Sequence, residues 1–174
     1  MCLFIRISIL ISFIFLTVSH FGCSSASRGE NVNVEQKPVS TPPAITDRPK
    51  IIAYGDSLTY GYGLDSWELS YPGRLQLSVE DAGFDYQVIN AGFNGDTTET
   101  GLNRLWLTLG ISNIKVFILA LGANDVVKKV PAEQMKRHLS EILKQIKAKN
   151  IQVVLCGIYP PDKFGPEYSA EINE

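Results

Sequence analysis

Lys50-Ile51-Ile52-Ala53-Tyr54-Gly55-Asp56-Ser57-Leu58 is the stretch on which the reading of this chain turns. Its apolar run is too short for a helix and ends at a glycine, so it reads as a strand with both faces covered. Gly55 lets the chain turn tightly, because without a Cβ it tolerates backbone angles closed to other residues. The turn then delivers Ser57 to the start of the next segment, with its own N–H directed beyond the strand's end. A strand that stops at a glycine and hands over a serine is a way of presenting a hydroxyl nucleophile.

Working outward, strand and helix signals alternate. Residues 71–82 carry Leu75, Leu77, Val79 and Ala82 and read as a helix closed by Gly83. Residues 86–90 form a second strand, ended by Asn90-Ala91-Gly92. A helix over 98–107 puts Leu102, Leu105 and Trp106 on one side, with Asp96 or Thr97 as its cap and Glu99 in its first turn. Lys115-Val116-Phe117-Ile118-Leu119-Ala120-Leu121 is a continuous apolar run, the natural central strand. Pro131 opens the longest helix, where Met135, Leu139, Ile142, Leu143 and Ile146 make one stripe. Residues 151–156 form a fourth strand, in which Cys156 is expected as a buried free thiol. Unbroken strands separated by helices predict an α/β fold, a doubly wound parallel sheet of the three-layer, flavodoxin-like kind.

The preceding residues have another character. Arg6 is followed by an apolar core over 7–18, of signal-peptide length and short of the roughly 20 residues a spanning helix needs. Phe21-Gly22-Cys23-Ser24-Ser25 resembles a bacterial lipobox, which makes Cys23 the expected lipidation site, although His20 stands where leucine is usual. Residues 24–49 are polar and proline-bearing and bury too little to offset ordering entropy, so they read as a flexible tether. The organisation expected is therefore targeting segment 1–23, linker 24–49 and domain 50–174. It implies export and anchoring in the bacterial envelope, with periplasmic or secreted protein as the alternative.

The chain is 45% hydrophobic and 20% charged with a formal net charge of -2, which suits one α/β domain and leaves no basic footprint for nucleic acid. No group of His, Cys and carboxylates has metal-ligand spacing. The composition assigns no oligomeric state.

In a doubly wound sheet, functional groups collect in loops at the carboxyl ends of the strands. Three such loops hold the unusual residues: Gly55-Asp56-Ser57, Asn94-Gly95-Asp96 and Gly122-Ala123-Asn124-Asp125. Acyl transfer needs a nucleophilic oxygen and donors for the oxyanion that develops. Ser57 offers both a hydroxyl and a backbone N–H, Gly95 an N–H that a substrate can approach closely, and Asn124 a neutral amide. Each loop alone is a common turn or helix cap. Together, at successive strand ends, they outline a site for acyl transfer.

The same blocks carry a family resemblance. Gly55-Asp56-Ser57-Leu58-Thr59-Tyr60-Gly61-Tyr62-Gly63, Asn90-Ala91-Gly92-Phe93-Asn94-Gly95-Asp96-Thr97-Thr98 and Leu119-Ala120-Leu121-Gly122-Ala123-Asn124-Asp125 resemble, in order, blocks of the GDSL-type SGNH hydrolases. Within them the chain is most similar to bacterial arylesterases, thioesterases and lysophospholipase L1, and Trp67, Tyr71, Pro72 and Leu75 sit as in the family's first helix. The resemblance runs from about Lys50 to Glu174. It implies the SGNH hydrolase fold, Ser57 as nucleophile, an oxyanion hole from Ser57, Gly95 and Asn124, and Asp56 as a structural residue. It also implies a small-molecule ester or thioester substrate and no cofactor.

The resemblance departs at the C-terminal side. The family's acid and base come from an Asp-x-x-His beyond a fifth strand, and no such motif occurs here. The histidines are His20, in the targeting segment, and His138, read as a solvated residue flanking the apolar stripe of the long helix. A C-terminally truncated domain, lacking about 60 residues, is the expectation, with hydrolysis crippled for want of a base. A ligand-binding remnant is the alternative. Tyr60, Tyr62, Trp67 and Phe93 are candidates for a pocket wall, and the Tyr159-Pro160-Pro161 turn is expected on the same side.

Overall fold

The computed structural model describes Ala44, residues 46–158, Gly165, Glu167, Ser169 and Ala170. The targeting segment with Cys23, most of the linker and the Tyr159-Pro160-Pro161 turn lie outside the described residues. Four parallel strands form one sheet in the order β2-β1-β3-β4: β1 (Lys50–Gly55), β2 (Gln87–Gly92), β3 (Ile114–Ala120) and β4 (Gln152–Leu155). Ile52 pairs with Ile89 on one side and Phe117 on the other, so β1 is sheltered by both neighbours. The chain steps from β1 to one side for β2 and then crosses to the other for β3. The switch point therefore lies between β1 and β3, whose last residues, Gly55 and Ala120, pair at the carboxyl ends.

Five helices connect the strands: α1 (Ser57–Tyr60), α2 (Tyr71–Asp81), α3 (Thr98–Leu109), α4 (Ala123–Val127) and α5 (Ala132–Lys147). Helices α3 and α5 pack together, and Leu105, Leu109, Ile142 and Ile146 join Ile52, Tyr54, Phe117 and Leu119 in one core. Helix α2 lies along β2. There Gln76 accepts the Val88 N–H at 2.6 Å and donates to Tyr86 O at 3.1 Å, satisfying backbone groups beside the open edge of β2. The result is an α/β fold with a parallel sheet, as the unbroken apolar runs require.

Three local readings change. On α3 the buried face is Thr98, Gly101, Leu105, Thr108 and Leu109, while Trp106 is exposed. Small side chains let α3 approach the sheet closely, and a pattern read from large apolar residues alone rotates the face. Cys156 is exposed, because β4 ends at Leu155 and no described strand covers its outer side. Backbone just ahead of Lys50 is also bonded to the sheet. Gln87 accepts from Thr46 N–H at 2.8 Å and donates to Ala44 O at 2.7 Å, pinning that segment to the start of β2. Among the described residues no helix is long and apolar enough to cross a membrane.

Candidate active site

Ser57 is the first residue of α1, whose single turn begins where β1 ends. Asp56 caps it, its Oδ1 accepting the Leu58 N–H at 2.9 Å. Gly55 makes the close approach of this turn to the sheet possible. A Cβ there would fall 2.1 Å from Thr59 Oγ1 and 2.6 Å from Ala120 O. Asp56 is almost fully buried. Burial pushes its carboxyl above the ordinary carboxylate range, the Leu58 N–H pulls it back, and the nearby Asp96 and Asp125 push it further up.

The second loop is tied to the first, since Phe93 N–H donates to Gly55 O at 2.9 Å. It turns back through the Asp96 N–H to Phe93 O bond at 3.2 Å, with exposed Gly95 at φ +82°. That left-handed angle favours glycine, and a Cβ there would meet nothing within 4 Å. The third loop reaches the second directly, because Asn124 Nδ2, on α4, donates to Asp96 O at 2.7 Å. One amide hydrogen of Asn124 is thereby used and the other remains. The Ser57 N–H, in the first turn of α1, lies outside the helical ladder.

Two networks hold these loops together, one part-buried around Arg104 and one buried around Asp125. Arg104, on α3, donates through Nε to Asp96 Oδ2 and through Nη2 to Gly55 O at 3.1 Å and Ala91 O at 3.0 Å. Its guanidinium also lies 4.1 Å from the centre of the Tyr54 ring, a cation–π contact. The Tyr54 hydroxyl donates to Gly101 O at 2.5 Å, and burial pushes its pKa far above the ordinary phenol range, against the pull of Arg104. In the second network, Asp125 accepts the Thr98 N–H at 2.8 Å and the Thr98 hydroxyl at 2.6 Å. The start of α3 is completed by Thr97, whose Oγ1 accepts the Thr100 N–H at 3.2 Å.

Ser57, Gly95 and Asn124 thus sit on three loops, of which the second is bonded to both the first and the third. Sequence reasoning missed Arg104 and the partner of Asp125. A signal for Arg104 was present, since it follows Gly101 by one helical turn and precedes Thr108 by another, which places a cation beside the buried face. His138 is half-buried rather than solvated, with Nδ1 3.0 Å from Thr98 Oγ1, because packing of α5 on α3 covers that flank. No described residue offers the Ser57 hydroxyl a base. Tyr60, Tyr62 and Phe93 are exposed at the ends of β1 and β2, and Trp67 is half-buried. An apolar cavity of about 150 Å³ opens beside α5, walled by Leu121, Met135, Leu139, Cys156 and Ile158. Among the described residues no group of three His, Cys, Asp or Glu is placed to hold a metal.

Ser57 at the end of β1, the Gly95 turn after β2 and the Asn124 amide after β3 thus lie on loops at the same, carboxyl end of the sheet. Residues 53–174 match the model of the GDSL-like lipase/acylhydrolase family, and the chain belongs to that family. It is 32% identical over 118 residues to esterase TesA of Pseudomonas aeruginosa, covering 68% of this chain and 58% of that protein. To the arylesterase of Vibrio mimicus it is 35% identical over 120 residues, covering 69% of this chain and 60% of that one. Among solved structures, AlinE4, an SGNH-hydrolase family esterase, matches with a TM-score of 0.69 and 32% identity. That match covers 75% of this chain and 69% of AlinE4. The chain spans about three fifths of the length of these two curated relatives.

Proposed function

We propose that this chain carries the nucleophile and oxyanion hole of a serine esterase acting on carboxylic or thioester bonds of small molecules. In this reading Ser57 Oγ bonds to the acyl carbon while its proton passes to a base. The alcohol or thiol then leaves with a proton, and water hydrolyses the acyl-serine. The N–H groups of Ser57 and Gly95 and the amide of Asn124 receive the oxyanion, and Asp56 holds the serine turn. The observation that carries the reading is the Asn124 Nδ2 bond to Asp96 O at 2.7 Å, which aims the remaining amide hydrogen from a fixed side chain. Similarity to an arylesterase and to a thioesterase/lysophospholipase L1 of Escherichia coli supports the bond type.

The second reading is ligand binding at the same loops without turnover. Hydrolysis of p-nitrophenyl acetate by the full chain and by Ser57→Ala, each with and without added imidazole, separates the two. We expect wild-type hydrolysis above that of Ser57→Ala, alone or with imidazole present as an added base. Equal rates under both conditions would exclude a nucleophilic Ser57 and leave binding as the function.

The same proposal puts the domain in the bacterial envelope, lipidated at Cys23 and joined to the membrane by the linker, with release into the periplasm or medium as the alternative. The Phe21-Gly22-Cys23-Ser24-Ser25 run supports it. Metabolic labelling with radioactive palmitate is expected in the wild type and lost in Cys23→Ser, and an unlabelled wild type would favour the soluble alternative.

A further inference from the structure

His138 belongs to none of the groups assigned above. It stands on α5, half-buried, with Nδ1 3.0 Å from Thr98 Oγ1. Thr98 Oγ1 in turn lies 2.6 Å from Asp125 Oδ1, and the Thr98 N–H meets Asp125 Oδ2 at 2.8 Å. Thr98 and Asp125 are 0% and 1% exposed, so water does not mediate these contacts. A carboxylate has only acceptors, so the hydroxyl proton of Thr98 points at Asp125. That hydroxyl has no second proton, and it meets His138 with a lone pair. The hydrogen between them therefore belongs to His138 Nδ1, and neutral His138 is held with Nε2 unprotonated. This is opposite to the tautomer that histidine favours in water.

We propose that His138 is a positioning residue for Asn124, acting through Thr98 and Asp125. The inference rests on reading Asn124 as an oxyanion donor. Asn124 and Asp125 are neighbours on α4, a helix of five residues that begins after Gly122 at φ +125°. So short a helix does not hold itself. The two bonds from Thr98 to Asp125 fasten it to α3, across from the Asp96 carbonyl that Asn124 grips. The His138 N–H fixes the rotation of the Thr98 hydroxyl, so that its proton stays on Asp125 instead of turning toward another acceptor. Linked bonds of this kind polarise and strengthen one another in a low-dielectric interior. One helix thus locks a second against a third, and the amide of Asn124 is held at the end of the chain of contacts.

The test uses the full chain with ¹⁵N-labelled histidine side chains and long-range ¹H–¹⁵N correlations at alkaline pH. Only His20 and His138 contribute, and His138→Asn assigns the signals by loss. We expect neutral His138 with Nδ1 protonated and Nε2 bare; the opposite tautomer, or a mixture, overturns the relay. A second reading follows the side-chain amide signals of Asn124 in His138→Leu and His138→Asn, with circular dichroism confirming that both are folded. The leucine variant should shift or broaden the Asn124 pair. The asparagine variant, whose amide can still donate to Thr98, should leave it in place. An Asn124 pair unmoved by the leucine change would reduce His138 to a packing residue and overturn the proposal. If His138→Leu fails to fold, the wild-type tautomer still decides. Neither readout needs turnover, so a failure of the hydrolytic reading is seen separately, in the Ser57→Ala comparison.

Discussion

Replacing Arg104 by methionine should lower the stability of the domain by about 3–5 kcal/mol, the cost typical of breaking a buried ion pair from one side. The Asp96 side chain is 5% exposed and that of Arg104 22%, so the carboxylate is largely shielded from solvent. Methionine keeps most of the stem that packs on Tyr54 but removes every donor. Asp96 then retains only the Thr100 hydroxyl, at 2.9 Å on Oδ1, and Gly55 O and Ala91 O each lose a charge-assisted bond. Against a total of about 5–15 kcal/mol for an ordinary domain, a loss of that size is a large fraction of the whole. Denaturant unfolding measures it directly, as a fall in midpoint at unchanged slope. The stranded carboxylate should account for most of the penalty. Asp96→Asn added to Arg104→Met is therefore expected to recover part of the loss, an asparagine being far less costly to leave unpaired. A single variant within about 1 kcal/mol of wild type would mean that the pair is solvated in practice and holds nothing together.

Arg104 also marks where the sequence stops being readable. The sheet was legible because strands covered on both faces show as unbroken apolar runs, and Ile51–Tyr54 and Val116–Leu121 are such runs. The strand-end loops followed from the same alternation, since a parallel sheet has only one end at which its strand-to-helix loops gather. What the periodicity could not show is which polar side chains on the covering helices point inward. On α3 the burial of Thr98, Gly101 and Thr108 shifts the inner face away from Trp106 and carries Arg104 toward the ends of β1 and β2. His138 was read as solvated for a related reason. It lies off the stripe of α5, and only the packing of that helix on α3 supplies Thr98 as its partner. Helix α4, at five residues, is shorter than two turns and leaves no pattern to detect. Cys156 was misplaced because an apolar run shows that a segment is suited to burial, whereas covering β4 requires a neighbour that no described strand provides.

The donor set leads to the second large effect. Asn124→Ala should reduce the Ser57-dependent rate of p-nitrophenyl acetate hydrolysis, with imidazole present if it proves necessary, by about 10²–10³-fold. The side chain contributes one bond within the protein, to Asp96 O at 2.7 Å, so its removal should cost about 1 kcal/mol of stability and leave the fold intact. The two numbers together carry the argument. A donor that meets charge appearing only in the transition state lowers kcat when removed and leaves KM nearly unchanged, whereas a donor that merely holds the ground-state carbonyl raises KM. Asn124→Asp sharpens the contrast. It keeps the size of the side chain but sets a carboxylate against the Asp96 carbonyl and against the developing oxyanion, so both rate and stability should fall below those of the alanine variant. An alanine variant with kcat intact and KM raised would move Asn124 from the oxyanion hole to substrate binding. The Gly95 and Ser57 N–H groups would then be the only donors left to stabilise the intermediate. If kcat and KM both held, the third loop would have no part in the reaction, and its bond to Asp96 would serve the fold alone.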